Sequence, residues 1–370
     1  MVVNEIHLEC FRNYSSASAR FSGGVNIISG RNAQGKTNLL EAVYYLASGR
    51  SFRSAADRDL LRAGSGSAAI RAEIESGGRA QTLEVRLHDG RRRELLANGA
   101  KLKKSSELSG RLSAVLFCPD DLDIVKGGAA VRRKMMDQCL TQLRPGYMAA
   151  LSEFGRLYEH KTRILRGYRE KPSLLDLLDD FDQRLAEQSS RLIYYRSAFA
   201  LILARKAAEI HSDFSGGAER LEISYKTVGG MDASGKKPEQ LLPALLEHQR
   251  AHRQAELGSG ACLSGAHKDD LEIEINGMPA RRFASQGQSR TAAVSIKLAE
   301  RSVHSDDRGE KPVLLLDDVM SELDPARQSF ILERITDGQV LITCCDGAAA
   351  PAAAGAAWLH VEDGAFAGRA

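Results

Sequence analysis

The sequence has little that would mark a disulfide-rich or metal-clustered protein. Its cysteines stand at positions 10, 118, 139, 262, 344 and 345, with no C-x-x-C pair and no spacing typical of metal ligands. Cys344 and Cys345 are adjacent in the chain, which makes a disulfide between them a poor one. A reducing compartment is the simpler interpretation of this cysteine content.

Long apolar runs are missing as well. No stretch approaches the ~18 apolar residues that indicate a membrane helix. The opening residues, MVVNEIHLECFRNY, have no long apolar core behind a basic flank, which argues against a signal peptide. We therefore expect a cytoplasmic protein without a membrane partner.

A strong imbalance of charge is the third absence. The formal net charge is +3, which permits a nucleic-acid-binding face but does not require one. Length and apolar content are present instead, since 370 residues with 43% hydrophobic side chains exceed one ordinary domain and predict two or more. An alanine-rich stretch at 348–357 predicts a loop or an irregular helix.

The clearest motif lies at residues 25–47, which read VNIISGRNAQGKTNLLEAVYYLA and contain G-x-x-x-x-G-K-[ST], the phosphate-binding loop or P-loop. An apolar run precedes the loop and leucines at helical spacing follow it, so the context is strand, loop and helix. The alternative is a glycine turn beside an exposed lysine. We expect the whole loop to bind ATP, through Gly30, Arg31, Asn32, Ala33, Gln34, Gly35, Lys36 and Thr37.

Each residue type in this loop has a physical role. Gly30 and Gly35 let the backbone bend where a side chain would clash, so that N–H groups and the helix dipole surround phosphate oxygens. Lys36 is expected to reach the outer phosphates and to contribute to catalysis, and the Thr37 hydroxyl is expected to hold Mg²⁺.

A second acidic site follows residues 313–316, where four apolar residues end in Asp317 and Asp318. This pattern predicts a buried strand that delivers a carboxylate at its carboxyl end. Asp317 is the expected Mg²⁺ ligand, and Asp318 is placed to orient or deprotonate the attacking water. The alternative is a strand followed by two turn aspartates.

Nearly 280 residues separate the two motifs, and helical patterns fill much of that gap. Residues 129–165 predict helix with a break at 144–146, and residues 174–210 predict one amphipathic helix of about three dozen residues, roughly 50 Å long. Strands are predicted at 219–228 and 270–275, with a helix at 238–257 between them. The nucleotide site is therefore expected to be assembled from both ends of the chain around an inserted helical arm.

Several other residues have two interpretations each. Ser285, Gly287 and Gln288 open a predicted helix and form either an anion site or an ordinary N-cap. Arg12 and Asn13 lie at a predicted turn and either touch a nucleotide base or serve the turn. His267 either senses phosphate or is structural. Candidate contacts to a DNA backbone, otherwise solvated charges, are Arg91, Arg92, Arg93, Lys101, Lys103, Lys104, Arg132 and Arg133.

Taken together, these motifs resemble the ABC-type ATPase head and, more narrowly, the RecF family of bacterial DNA replication and repair proteins. The resemblance rests on FRNY at 11–14, PDDL at 119–122, GAHKDD at 265–270, SQGQS at 285–289 and LLLDDVMSELDP at 314–325. It implies an α/β fold, with mixed sheets around a P-loop core and an inserted α-helical arm. The expected divisions are head residues 1–118, arm residues 119–216 and head residues 217–370.

The resemblance also implies a function. RecF-like proteins bind ATP, dimerise head to head, bind double-stranded and gapped DNA without reading its bases, and help RecR and RecO to load RecA in repair, recombination and the SOS response. Each ATP lies between one P-loop and the partner's signature, so Ser285, Gly287 and Gln288 would contact ATP on the other subunit, and Asp324 would lie near the dimer seam. Asp318 stands where transporter heads have the longer glutamate, so slow turnover is expected. The resemblance implies a weak, DNA-stimulated ATPase that acts as a switch.

Two alternatives remain from the sequence. A transporter ATPase subunit would need a short helical subdomain and a surface for a membrane partner. A structural protein of the SMC type would have arms of hundreds of residues, far longer than the arm predicted here.

Overall fold

The structure is a computed structural model that describes residues 1–54, 56–104, 107–108, 110–345 and 355–368. The chain divides into two compact units, one formed by Met1–Asp123 with Gln286–Ala370 and the other by Ile124–Ser285. The first unit joins both ends of the chain, as the distance between the two motifs predicted. Residues 346–354, most of the alanine-rich stretch, lie outside the described residues.

An antiparallel sheet forms one layer of the first unit, with strand order β2-β1-β4-β5-β6-β7. Its strands are β1 (Val2–Phe11), β2 (Tyr14–Arg20), β4 (Ser67–Ser76), β5 (Arg79–His88), β6 (Glu94–Ala97) and β7 (Ala100–Lys101). Burial alternates along β4, because one face packs on the core while the other meets solvent.

A second sheet carries the nucleotide motifs, with strand order β15-β14-β3-β13-β12-β8. Its strands are β3 (Val25–Gly30), β8 (Ala114–Phe117), β12 (Val313–Leu316), β13 (Val340–Cys345), β14 (Ala357–Glu362) and β15 (Ala365–Gly368). All neighbours from β14 to β8 run parallel, and β15 is antiparallel. Strands β8 and β12 are buried at every position, as continuous apolar runs in parallel sheets are.

The α-helices of the first unit, within the part of the chain that the structure describes, are α1 (Lys36–Ser48), α7 (Gln286–Arg308) and α8 (Pro325–Arg334). Only β13 separates β3 from β12, so the ends of the P-loop strand and the acidic strand meet at the same sheet edge.

The second unit is mainly helical. It contains α2 (Ala129–Leu143), α3 (Pro145–Gly167), α4 (Leu178–Ser215), α5 (Pro238–Ser259) and α6 (Ala280–Phe283), with a small sheet of β11 (Met278–Pro279), β10 (Asp270–Ile275) and β9 (Leu221–Lys226). The expected long helix is α4, with 38 residues. Within the described residues, no helix has the length and apolarity required to cross a membrane.

The second unit extends beyond residue 216, where the sequence analysis ended the arm. Residues 217–285 join the same unit because α4 packs against both α5 and β9, and β9 pairs with β10. The sequence alone did not show these contacts, since the return to strand pattern at 219–228 matched the head.

Arg132 does not fit its interpretation as a DNA contact. Its side chain is buried, with both Asp270 carboxylate oxygens accepting from its guanidinium at 2.7 and 2.9 Å. The carbonyls of Ile124 and Gly127 accept from its Nη1 at 3.0 and 2.9 Å. Arg132 is therefore an internal tie of the second unit. Arg133 also donates internally, to the carbonyl of Asp269 at 2.6 Å.

His267 has the structural role that the sequence analysis offered as its second interpretation. Its ring packs against Phe154 and Tyr158, and its Nε2 lies 3.0 Å from the carbonyl oxygen of Cys262. Burial lowers the pKa of His267 to about 4, so the ring is neutral in the folded second unit at pH 7.

This lowered pKa predicts that acid destabilises the second unit. Because the folded-state pKa lies below the unfolded value, the stabilisation is complete above pH 6.5 and is lost as the pH falls towards 4, by about 2 to 3 kcal/mol. Urea unfolding of the parent and of His267→Phe at pH 7.5 and 4.5 measures it, and the variant should lose less stability on acidification. A variant at the partly exposed His7 should keep the parent's profile; equal profiles for parent and His267→Phe would contradict the assignment.

Candidate nucleotide-binding site

The P-loop has the conformation that its two glycines permit. Gly30 ends β3 with φ 152°, and a Cβ there would lie 2.3 Å from the carbonyl oxygen of Val361. Gly35 precedes α1 with φ 118°, and a Cβ there would lie 2.7 Å from Asn13 Nδ2 and 2.9 Å from the Tyr14 hydroxyl. Any side chain at either position would therefore displace backbone or buried groups.

Lys36 lies inside the loop. Its side chain is 7% exposed, and its Nζ donates to the carbonyls of Gly30 at 2.5 Å and Arg31 at 2.8 Å. The ammonium group is thus held at the first turn of α1, where the N-terminal N–H groups of the helix also favour an anion. Binding of the outer phosphates by Lys36 stays a prediction.

The two motifs meet directly. The hydroxyl of Thr37 donates to Asp317 Oδ1 at 2.9 Å, although 280 residues separate them. Asp317 is 6% exposed, and burial raises the pKa of its carboxyl group, while the bonds from Thr37 and Thr343 act in the opposite direction. The structure therefore brings together the two residues predicted to hold the metal.

Thr343 is a residue of this site that the sequence analysis missed. Its hydroxyl lies on β13, between the two motif strands, and donates to Asp317 Oδ1 at 3.1 Å. Thr343 Oγ1 in turn accepts a hydrogen bond from the backbone N–H of Asp318 at 2.8 Å. The available signal was a polar residue within the otherwise apolar strand VLITCC.

The oxygen atoms of this site fit Mg²⁺. The Thr37 hydroxyl and the Asp317 carboxylate are hard oxygen donors, the kind that Mg²⁺ prefers beside nucleotide phosphates. Bound there, the ion would neutralise phosphate charge.

Asp318 follows at the carboxyl end of β12, in a left-handed backbone conformation with φ 53°. Aspartate tolerates this conformation better than branched residues do. Ser321 Oγ donates to the Asp318 carbonyl at 2.7 Å and lies 3.4 Å from its Oδ1. The half-buried carboxylate directly follows Asp317, the residue predicted to hold the metal, and its role in orienting water stays a prediction.

The turn between β1 and β2 supports the loop. Arg12 donates to both carboxylate oxygens of buried Glu41 on α1, at 2.9 and 2.8 Å. Asn13 Nδ2 donates to the carbonyl of Gln34 at 2.7 Å. The Tyr14 hydroxyl donates to the carbonyl of Gly35 at 2.9 Å. Of the two interpretations of Arg12 and Asn13, these contacts favour service to the turn and the loop.

Tyr14→Phe is expected to weaken ATP binding several-fold without unfolding the protein. Tyr14 is fully buried and burial raises its pKa, so the hydroxyl remains a donor at all working pH values. The substitution removes one of the two hydrogen bonds that the Gly35 carbonyl accepts, the other coming from the N–H of Leu39, at a cost of about 1 kcal/mol. Titration with a fluorescent ATP analogue measures the change, with Tyr194→Phe on an exposed position of α4 as control. Equal affinity in Tyr14→Phe and parent would count against this support.

The signature residues open α7 as predicted. The helix begins at Gln286, so Ser285 precedes it directly and Gly287 and Gln288 lie in its first turn. The carbonyl of Gly287 accepts a hydrogen bond from Arg327 of α8 at 2.7 Å. Asp324 caps α8 by accepting the N–H of Arg327 at 3.1 Å.

Comparison with known proteins places this site in a family. The family model of the RecF/RecN/SMC N-terminal domain matches residues 2–357. The DNA replication and repair protein RecF of Acetivibrio thermocellus is 39% identical over 347 residues, which covers 94% of each chain.

Solved structures agree with the sequence comparison. A structure of the recombination mediator protein RecF-ATPrS in the RecFOR pathway superposes with a TM-score of 0.92 at 32% identity, covering 100% of this chain and 98% of the other. The Smc head domain of Pyrococcus furiosus, bound to the C-terminal domain of ScpA, shares the fold with a TM-score of 0.54 at 16% identity, covering 98% and 94%. With its P-loop, its acidic strand end and these likenesses, the chain belongs to the RecF family of DNA replication and repair proteins.

Proposed function

We propose that this chain is an ATP-dependent recombination mediator of the cytoplasm. ATP joins two copies head to head, the dimer binds DNA at gaps or at single-strand/double-strand junctions, and it helps RecR and RecO to load RecA. Slow, DNA-stimulated hydrolysis then releases the dimer. A transporter subunit is not proposed, because the chain belongs to the RecF family.

The contact between Thr37 and Asp317 carries this proposal. At 2.9 Å, it joins the P-loop helix to the acidic strand end within one unit, and both groups can bind the same Mg²⁺. MgATP supplies the triphosphate whose hydrolysis drives the switch. Lys36 would bind its outer phosphates, and Asp318 would hold the attacking water and accept its proton.

The signature supports the dimer. Ser285, Gly287 and Gln288 stand at the start of a 23-residue helix, where first-turn N–H groups point outward and the helix dipole favours an anion. We assign these groups to the phosphates of ATP held by the P-loop of a second copy. ATP would then stabilise the dimer by binding both copies, and hydrolysis would remove that stabilisation.

A basic groove in the first unit supports DNA binding. This groove is lined by Asp57, Arg91, Arg92, Arg93, Glu94, Leu95, Lys101, Leu102, Lys103 and Lys104. Its six cationic and two acidic residues give a net charge of +4, against +3 for the whole chain. The positive charge is therefore concentrated here, as contact with a phosphate backbone requires.

Gel shifts with gapped DNA, with and without ATP, test the proposal. ATP should strengthen binding, and affinity should fall steeply as salt rises, because phosphate contacts release counterions. Charge reversal at Arg91 and Arg92 should weaken binding for every DNA sequence. DNA binding that is indifferent to ATP would refute the proposed switch.

A further inference from the structure

Arg327, in the first turn of α8, ties together two segments of the nucleotide-binding unit. Its Nη2 donates to the Gly287 carbonyl at 2.7 Å and to Thr291 Oγ1 at 2.9 Å, and its Nε donates to the same hydroxyl at 3.1 Å. Its Nη1 pairs with the carboxylate of Asp324, the residue that caps α8. One guanidinium thus joins the signature turn of α7 to the segment after the acidic strand.

This is a costly place for a cation. The N-terminal ends of α7 and α8 both carry partial positive charge, which favours anions and disfavours an arginine. The Asp324 carboxylate offsets part of that cost. The Arg327 side chain is also largely buried, at 17% exposure, so its charge is only partly screened by water. Such a residue adds to a positive field at the start of the signature helix.

The hydrogen bonds also fix a direction. In a helix, the N–H groups of the first turn point away from its carbonyl groups. Arg327 and Thr291 both donate to the Gly287 carbonyl, at 2.7 and 3.0 Å, and so hold that turn in one orientation. The first turn of the signature helix is therefore oriented by a side chain on another helix.

The N-terminal part of α8 also binds the segment that follows Asp318 in the chain. Gln328 Nε2 donates to the carbonyls of Met320 and Leu323, at 2.7 and 3.0 Å. Neighbouring residues of α8 therefore bind the signature turn and the segment that follows the water-orienting aspartate.

We propose that Arg327 is a positioning residue that sets the signature for ATP bound by a second copy, and this inference rests on the proposed ATP-driven dimer. Arg327 acts through Gly287 and Thr291. Its loss should therefore weaken the dimer while leaving the subunit's own P-loop intact.

The test separates the two affinities. ATP binding is measured by titration at protein concentrations where the chain is monomeric, and dimerisation is measured by sedimentation with saturating ATP. For Arg327→Ala we expect monomer ATP affinity within about twofold of the parent and dimer affinity weakened at least ~10-fold. Arg327→Lys should remain weak because it lacks the planar fork. Arg334→Ala, on the same helix but stacked on Phe330, is the matched control and should behave as the parent.

Variants of Thr291 and mixing experiments keep the inference testable if Arg327→Ala folds poorly. Thr291→Val should weaken the dimer because it removes the hydroxyl. Thr291→Ser keeps the hydroxyl and should dimerise as the parent does. Mixing Lys36→Ala with Arg327→Ala subunits creates one site with an intact P-loop and an intact signature, so ATP hydrolysis should exceed that of either variant alone.

The outcomes are distinct. Equal dimerisation of Arg327→Ala and parent, or no recovery on mixing, would overturn the role of Arg327. A parent that does not dimerise with ATP at all would instead overturn the proposed function.

Discussion

Lys36→Ala is expected to lower ATP affinity by about two orders of magnitude and to abolish ATP-driven dimerisation. The Lys36 ammonium lies inside the P-loop, held by two of its carbonyls, and would be the charge nearest the outer phosphates. Charge-assisted hydrogen bonds of this kind are about twice as strong as neutral ones, and the substitution removes the charge as well. Sedimentation with and without ATP measures the loss of the dimer.

Removal of a positive charge elsewhere should not have this effect. Lys101→Ala, at an exposed position of the basic groove, is the control; it should bind ATP and dimerise as the parent does. An unchanged sedimentation profile for Lys36→Ala with ATP would show that the loop does not gate association.

Asp318→Asn is expected to keep ATP binding and to slow hydrolysis by about 100-fold or more, which should trap dimers. An amide can still accept a hydrogen bond from water but cannot take its proton, and general base catalysis contributes about 10²- to 10⁴-fold. Single-turnover hydrolysis measures the rate, and light scattering measures the dimer lifetime.

Two further substitutions test whether slower hydrolysis is specific to Asp318 or follows the loss of any nearby carboxylate. Asp317→Asn removes the carboxylate that we propose binds magnesium and should weaken magnesium-dependent ATP binding, which Asp318→Asn should not. Glu322→Gln, at an exposed position shortly after Asp318, should keep the parent's turnover. Equal turnover in Asp318→Asn and parent would show that another group is the base.

The sequence predicted the parts of this molecule that depend on local pattern. The P-loop motif, the acidic end of β12 and the 38-residue helix α4 were each predicted from the spacing of residues within a single segment. The motif spacing also predicted that distant segments share a site, and the bond from Thr37 to Asp317 joins them.

Contacts between elements could not be predicted from the sequence, because they depend on how distant segments pack. Thr343 gains its role only because β13 lies between β3 and β12, which strand pattern does not reveal. Arg132 looked like a surface cation until its pairing with Asp270 was visible. The extent of the second unit likewise depends on the packing of α4 against β9. The composition of β9 is compatible with a strand of either unit, so the sequence did not show to which unit it belongs.

The strand order of the central sheet constrains how the chain is made. Strand β3 has neighbours β13 and β14, and β8 has neighbour β12; these three neighbours come far later in the chain than the strands they flank. The antiparallel sheet has its strands within the first 101 residues and can form early. A ribosome-bound nascent chain therefore carries a P-loop strand without its sheet neighbours until β13 has been synthesised, and truncation before β13 should leave a chain that cannot retain nucleotide.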